Sequence, residues 1–179
     1  MVGPALFYAH RARNGRRQIS DDQLVRQLAR VQLFRGLTPL QISRIARRSE
    51  RVIYNPGTII IEENGEGDAA VLIVSGLTIR VSGPELKSRP EPIAEGSLLG
   101  EFAMLVETVY SSTVVAQGPV RALRLTRHEL HAQIAEDRDL ADRLVQKIAG
   151  RLSRMADELR QIDMMLSGSS GATASVPAH

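Results

Sequence analysis

"TIIIEENGEGDAAVLIVSGLTIRV", residues 58–81, decides the architecture. Three β-branched runs (Thr58–Ile61, Val71–Val74, Leu77–Val81) are broken by Asn64-Gly65, Gly67-Asp68 and Ser75-Gly76. Branched side chains suit a pleated surface, and Gly, Asn and Asp supply the backbone angles that turns need. The texture continues on both sides. "NPG" at 55–57 and "SGP" at 82–84 are further turn signals, and "STVVA" and "VRALRL" are further strands within 51–126. Short strands at intervals of 8–12 residues predict a sandwich or barrel, here a small jelly roll.

Helices flank this region. Ser20-Asp21-Asp22-Gln23, Thr38-Pro39-Leu40-Gln41 and Thr126-Arg127-His128-Glu129 each place a hydroxyl cap three residues before Gln or Glu. Such capping boxes open helices, and Pro39 at the first helical position strengthens the second. Leu24, Leu28 and Val31, then Ile42, Ile45 and Ala46, recur at helical spacing. Two short helices are expected over 21–32 and 39–49, and a third begins at Thr126. A longer helix is expected over about 138–166. Its Leu140, Leu144 and Ile148 are spaced by four, as for packing on a curved protein surface. From Ile148 the apolar residues Leu152, Met155, Leu159, Ile162 and Leu166 alternate steps of four and three, the spacing of a coiled-coil seam. That stripe predicts a parallel homodimer joined through residues 148–166. The fold class is α+β: a small β-roll (a jelly-roll-like barrel) flanked by N-terminal helices and a long C-terminal helix.

Composition narrows the chemistry. With no cysteine among 179 residues, disulfides, thiolate catalysis and cysteine metal sites are excluded. The longest apolar run, "AAVLIV" at 69–74, is too short to cross a bilayer, so no transmembrane segment is expected. No secretion signal is visible, so a cytoplasmic location is expected. Arg11, Arg13, Arg16 and Arg17 make residues 1–19 a basic arm, read as solvated and flexible, with contact to a membrane or nucleic acid as the other reading. Residues 167–179, small and polar, read as a disordered tail, leaving one domain over 20–166.

The order of elements, with specific strings, resembles the cyclic-nucleotide-binding domain family, in the form of the effector domain of catabolite activator proteins. "LFRGLTPLQISRIARRSERVIYNPGTIIIEENGEGDAAVLIVSGLTIRV" (33–81) looks like that family's entry helices and first strands. Pro56-Gly57, Gly67-Asp68 and Ser75-Gly76 fall at its turns, and "EGSLLGEFAML" (95–105) resembles the approach to its phosphate-binding cassette. The similarity runs from about Leu33 to Leu166.

The resemblance implies a possible ligand: cAMP, cGMP or another cyclic nucleotide, with no tightly held cofactor. Gly100, Glu101, Phe102 and Ala103 would form a short turn whose backbone N–H groups meet a phosphate. A helix N-terminus can hold an anion without a side-chain charge. Glu101 would accept the ribose 2′-hydroxyl. The cassette would close over Tyr110, Ser111, Ser112 and Thr113, and here the chain departs from the family. Tyr110 stands where relatives carry arginine. A guanidinium grips phosphate through two parallel bonds, whereas a phenol donates one neutral bond. Losing a charge-assisted contact of about 1.5–3 kcal/mol weakens binding roughly 10- to 150-fold. Ser111 and Ser112 would recover part of this. On the long helix Met155 takes the position of a base-reading hydroxyl residue, and methionine cannot separate adenine from guanine by hydrogen bonding. Arg151 and Arg154 lie nearby, either reaching the pocket or serving as solvated flanks, the commoner case.

Other functions fit less well. A β-roll metalloenzyme needs His and carboxylate ligands on its strands, but His10, His128, His131 and His179 all lie outside predicted strands. No nucleophile–base pair stands out, so an enzyme is not expected. A DNA-binding relative would carry a helix-turn-helix after the long helix. Only a short polar segment follows Leu166 here, so direct DNA binding is not expected. Two readings remain: a regulatory ligand-sensing domain with weak or altered nucleotide binding, acting on an unidentified protein partner, and a degenerate dimeric interaction module that binds no nucleotide.

Overall fold

A computed structural model of the chain describes residues 20–84 and 90–169. The basic arm predicted over 1–19 and most of the tail predicted over 167–179 lie outside those residues.

The expected helices form, with caps that explain their starts. α1 spans Asp21–Arg30 and α2 Pro39–Arg48, joined through a 3-10 turn at Gln32–Phe34. At α2 the capping box is complete: Thr38 Oγ1 accepts from the Gln41 N–H and the Gln41 side chain accepts from the Thr38 N–H. At Ser20 and Thr126 the hydroxyl accepts from the N–H three residues on. α3 spans Arg127–Glu136 and α4 Arg138–Ser169. α4 thus runs three residues past Leu166, because an apolar period marks where a helix packs rather than where it stops.

Ten strands are present among the described residues: β1 Glu50–Tyr54, β2 Ile59–Ile61, β3 Glu66–Gly67, β4 Ala69–Ser75, β5 Thr78–Ser82, β6 Glu91–Ile93, β7 Leu98–Leu99, β8 Thr108–Val109, β9 Thr113–Ala116 and β10 Val120–Thr126. One antiparallel sheet has the order β1-β10-β4-β7, a second β2-β9-β5-β6, and β3 pairs with β8. The two four-stranded sheets face each other as the walls of the roll.

Two cores result. Ala70, Leu72, Val74, Leu123 and Leu125 pack outward against Leu24, Leu28, Phe34, Ile45 and Leu130. The alternate residues Val71, Ile73 and Ala122 pack inward with Ile60, Ile61, Val114 and Ala116 from the opposite sheet. β4 is therefore buried on both faces, which is why "AAVLIV" shows no alternation. Leu140 and Leu144 of α4 are buried in the outer core, with Ile148 packed at its edge. Beyond Ile148 the stripe leaves the domain: Leu152, Met155, Leu159, Ile162 and Leu166 are all exposed.

Candidate functional site

The predicted cassette folds as a short 3-10 turn at Glu101–Met104, entered from β7 through Gly100. Gly100 is left-handed (φ +65°), a conformation that favours glycine. It is also crowded: a Cβ there would stand 2.5 Å from Tyr110 Cε1 and 3.1 Å from the Ala69 carbonyl oxygen. Tyr110 therefore lies directly against the entry to the cassette. Its hydroxyl donates to the Ala69 carbonyl at 2.9 Å. Its backbone is fixed as well, donating to Gly65 O (3.0 Å) and accepting from the Asn64 N–H (2.9 Å). The expected phosphate donor is thus committed to a carbonyl in this conformation. Burial, then the nearby Asp68 carboxylate, push the Tyr110 hydroxyl above its ordinary pKa.

The remaining predicted residues divide. Glu101 is half-buried, and its carboxylate accepts from Arg151 Nη1 of α4 at 2.7 Å. The Arg151 guanidinium also lies 5.2 Å from the centre of the Phe102 ring, a cation–π distance. Ala103 is buried, and its N–H donates to the Gly100 carbonyl at 2.9 Å, closing the turn. Ser111 is exposed, while Ser112 is buried beside Gly83, where an added Cβ would come within 2.6 Å of Ser112 Cβ. Thr113 Oγ1 accepts from the Glu63 N–H at 2.9 Å, tying β9 to the end of β2.

Two hollows result. A groove of about 400 Å³ runs between the cassette and α4, lined by Glu101, Phe102, Arg151, Arg154 and Met155. A second cavity, of about 540 Å³, opens inside the roll, lined by Tyr54, Ile61, Asp68, Val71, Tyr110 and Arg124. The resemblance implies one site; Glu101 and Phe102 face the first hollow and Tyr110 the second.

Several residues that sequence reasoning passed over hold this arrangement. Arg124 enters the roll cavity from β10 and pairs with Asp68 and, at 3.3 Å, with Glu50. Burial opposes its charge, but the two carboxylates outweigh it and hold its pKa above the ordinary value. In sequence its signal was a charge on the same face of β10 as the inward Ala122. Arg127, the first residue of α3, donates through Nη1 to the carbonyls of Gly67 (3.1 Å), Val106 (3.0 Å) and Ala103 (3.4 Å). His131 Nε2 contacts Leu105 O at 2.8 Å. Nothing in one sequence foretells a guanidinium spent on main-chain carbonyls 21 to 60 residues away. Arg151 was visible but read as a solvated flank; the structure puts it on the cassette. Together Arg127, His131 and Arg151 tie the cassette to both C-terminal helices. Among the described residues, no group of three His, Asp or Glu is placed to hold a metal, and no helix is long and apolar enough to cross a membrane.

Comparison with known proteins agrees with this geometry. Residues 51–137 match the family model described as the cyclic nucleotide-binding domain. A cGMP-dependent protein kinase of Caenorhabditis elegans is 29% identical over 143 residues, covering 78% of this chain and 18% of the kinase. The chain thus spans under a fifth of the length of that relative. A cyclic nucleotide-binding-like protein of Brucella abortus superposes with a TM-score of 0.57 at 29% identity, over 64% of this chain and 99% of that one. The N-terminal domain of a Streptomyces coelicolor transcriptional regulator shares the fold, with a TM-score of 0.65 at 22% identity over 74% of this chain and 94% of that one. The β-roll and its flanking helices thus share the fold of these structures, and residues 51–137 match the cyclic nucleotide-binding domain family.

Proposed function

We propose that this domain is a regulatory ligand sensor whose cassette takes a cyclic nucleotide weakly or with altered preference. The carrying observation is the position of Tyr110. It stands against Gly100, its hydroxyl bonded to Ala69, where an arginine would otherwise face the ligand. An incoming phosphate has to displace the ring and break that bond, and gains no guanidinium in return. Binding in the micromolar to millimolar range follows. The cassette is otherwise well built, and its ties to α3 and α4 give a route for output: any movement of Glu101 pulls on Arg151. A ligand shifts such an equilibrium by its differential affinity for the two arrangements. We further propose that α4 pairs with a second copy through Leu152, Met155, Leu159, Ile162 and Leu166, whose exposure a coiled-coil seam would remove.

A second reading is favoured by the same tyrosine. If the ring has closed the phosphate position for good, the domain is an interaction module without a nucleotide. Calorimetry and thermal shift with cAMP, cGMP and cyclic dinucleotides separate the two. A sensor gains stability as ligand exceeds its dissociation constant. No heat and no shift at millimolar ligand would leave the interaction module.

A further inference from the structure

The cassette contains no positive side chain, yet the groove beside it is rich in them. Among the described residues that line this groove, Arg35, Lys147, Arg151 and Arg154 are cationic and Glu101 is the single acid. Glu101 takes Arg151 at 2.7 Å. Among the described residues, no carboxylate stands within ion-pair distance of Arg35, Lys147 or Arg154. The groove therefore holds three cations that no acid answers. The roll cavity differs, since its Arg124 is answered by Asp68 and Glu50.

Helix geometry gathers these charges. Lys147, Arg151 and Arg154 fall four and three residues apart on α4, so they lie along one side of it. Like charges at that spacing repel, and an anion between them relieves the repulsion. Arg35, just past the 3-10 turn at Gln32–Phe34, lines the same groove from the N-terminal side, and Lys147 is half-buried there. An apolar side completes the groove. Phe102 is 44% exposed even though the Arg151 guanidinium lies 5.2 Å from its ring centre. Ring surface is thus left for a planar group to stack on.

We infer that this groove is an anion site in its own right, and that its ligand is a nucleoside monophosphate. Arg35, Lys147 and Arg154 meet the phosphate, and the base stacks on Phe102. Charge selects the open monoester. A cyclic phosphodiester carries one negative charge, whereas a monoester carries about −1.5 to −2 at pH 7 and offers three acceptor oxygens. Three unanswered cations match the second better than the first. Size agrees: about 400 Å³ lies near the lower end of ligand pockets, roughly 300–1,000 Å³, which suits one nucleotide and not two. Stacking on phenylalanine tolerates any base, because every base has a π-face. This goes beyond the cyclic-nucleotide reading above and stands or falls separately from it.

Calorimetry on the full chain with 5′-AMP, cAMP, adenosine and inorganic phosphate tests it. 5′-AMP should bind at least about tenfold tighter than cAMP or adenosine, as for a gained charge-assisted contact. It should outbind inorganic phosphate by about fivefold or more through the stacked base. Lys147→Gln/Arg154→Gln should weaken 5′-AMP by at least about tenfold. Arg44→Gln/Arg47→Gln, which removes two charges from α2 at a different hollow, should leave it unchanged. Equal losses in the two double variants, or inorganic phosphate binding as well as 5′-AMP, would overturn the inference; the wild-type comparison decides even if a variant fails to fold. cAMP binding with no heat from 5′-AMP at millimolar concentration would overturn it and leave the cyclic-nucleotide reading intact. 5′-AMP binding with no heat from cAMP would support it and remove that reading, and no heat from either would remove both.

Discussion

Tyr110 lies against Gly100 so closely that a single added carbon on the glycine would stand 2.5 Å from the tyrosine ring. One residue enters the 3-10 turn at Glu101–Met104 and the other packs against that entry, and each leaves the other little room.

Gly100→Ala therefore meets two obstacles, a left-handed backbone at φ +65° and the ring itself. Strain of this kind costs about 1–3 kcal/mol. Urea unfolding should show that loss, and a smaller one when the same substitution is made in a Tyr110→Ala background, because residues in contact are not additive. Equal losses in the two backgrounds would show that the ring is not the obstacle.

Arg151→Ala should free the start of the exposed half of α4 from the cassette. The ion pair is partly exposed, at 40% for Arg151 and 22% for Glu101, so global stability should fall by under about 1 kcal/mol. The local effect is the larger one: hydrogen exchange over residues 148–158 should quicken. Unchanged exchange there would mean that the cassette does not hold the helix.

Alkaline stability follows from the roll cavity. Burial pushes Tyr54 from 10.0 to about 12, and Tyr110 moves in the same direction. Below pH 10 both tyrosines are protonated in folded and unfolded chains, and their contribution is complete. Above it the unfolded chain ionises first, so stability is lost as pH rises toward the folded value, by up to about 1.4 kcal/mol per pH unit for Tyr54. Urea unfolding between pH 8 and 11.5 should show the decline, and Tyr54→Phe should flatten it. Equal slopes in the two proteins would contradict the assignment.

How much of this was legible beforehand varied with the range of the interaction. Helix starts were plain, because Thr38 and Gln41 bond each other across three residues. Strands β2, β4 and β5 were plain because Asn64, Gly67 and Gly76 break the β-branched runs, whereas the two-residue β3 at Glu66–Gly67 lies in a stretch that reads as a turn. Gly100 and Glu101 came from family resemblance, not from local chemistry, since Gly-Glu is a common pair. What stayed hidden was long-range and polar. Arg151 finds Glu101 across 50 residues and Arg124 finds Asp68 across 56, and no periodicity encodes such partners. The hydroxyl of Tyr110 was expected to face an anion, but its bond to Ala69 depends on a neighbouring strand 41 residues away.

Assembly is tested on the exposed stripe. Leu152 and Leu159 are 57% and 66% exposed in the single chain, so replacing both with glutamate should leave the fold intact. In a parallel pair the like charges would face each other across the axis. Light scattering at tens of micromolar should give a dimer for the wild type and a monomer for Leu152→Glu/Leu159→Glu. A monomeric wild type would end the proposal.

The most direct measurement is the affinity of Tyr110→Arg for cAMP and cGMP by calorimetry. The substitution removes the ring from Gly100 and supplies the guanidinium that the family resemblance implies at this position. It should tighten binding by at least about tenfold over the wild type, the low end for a charge-assisted bond. Part of the gain should fade with added salt, less than for an exposed pair because the site is sheltered. A folded Tyr110→Arg protein that binds neither nucleotide better than the wild type would contradict the sensor and leave the interaction module in its place.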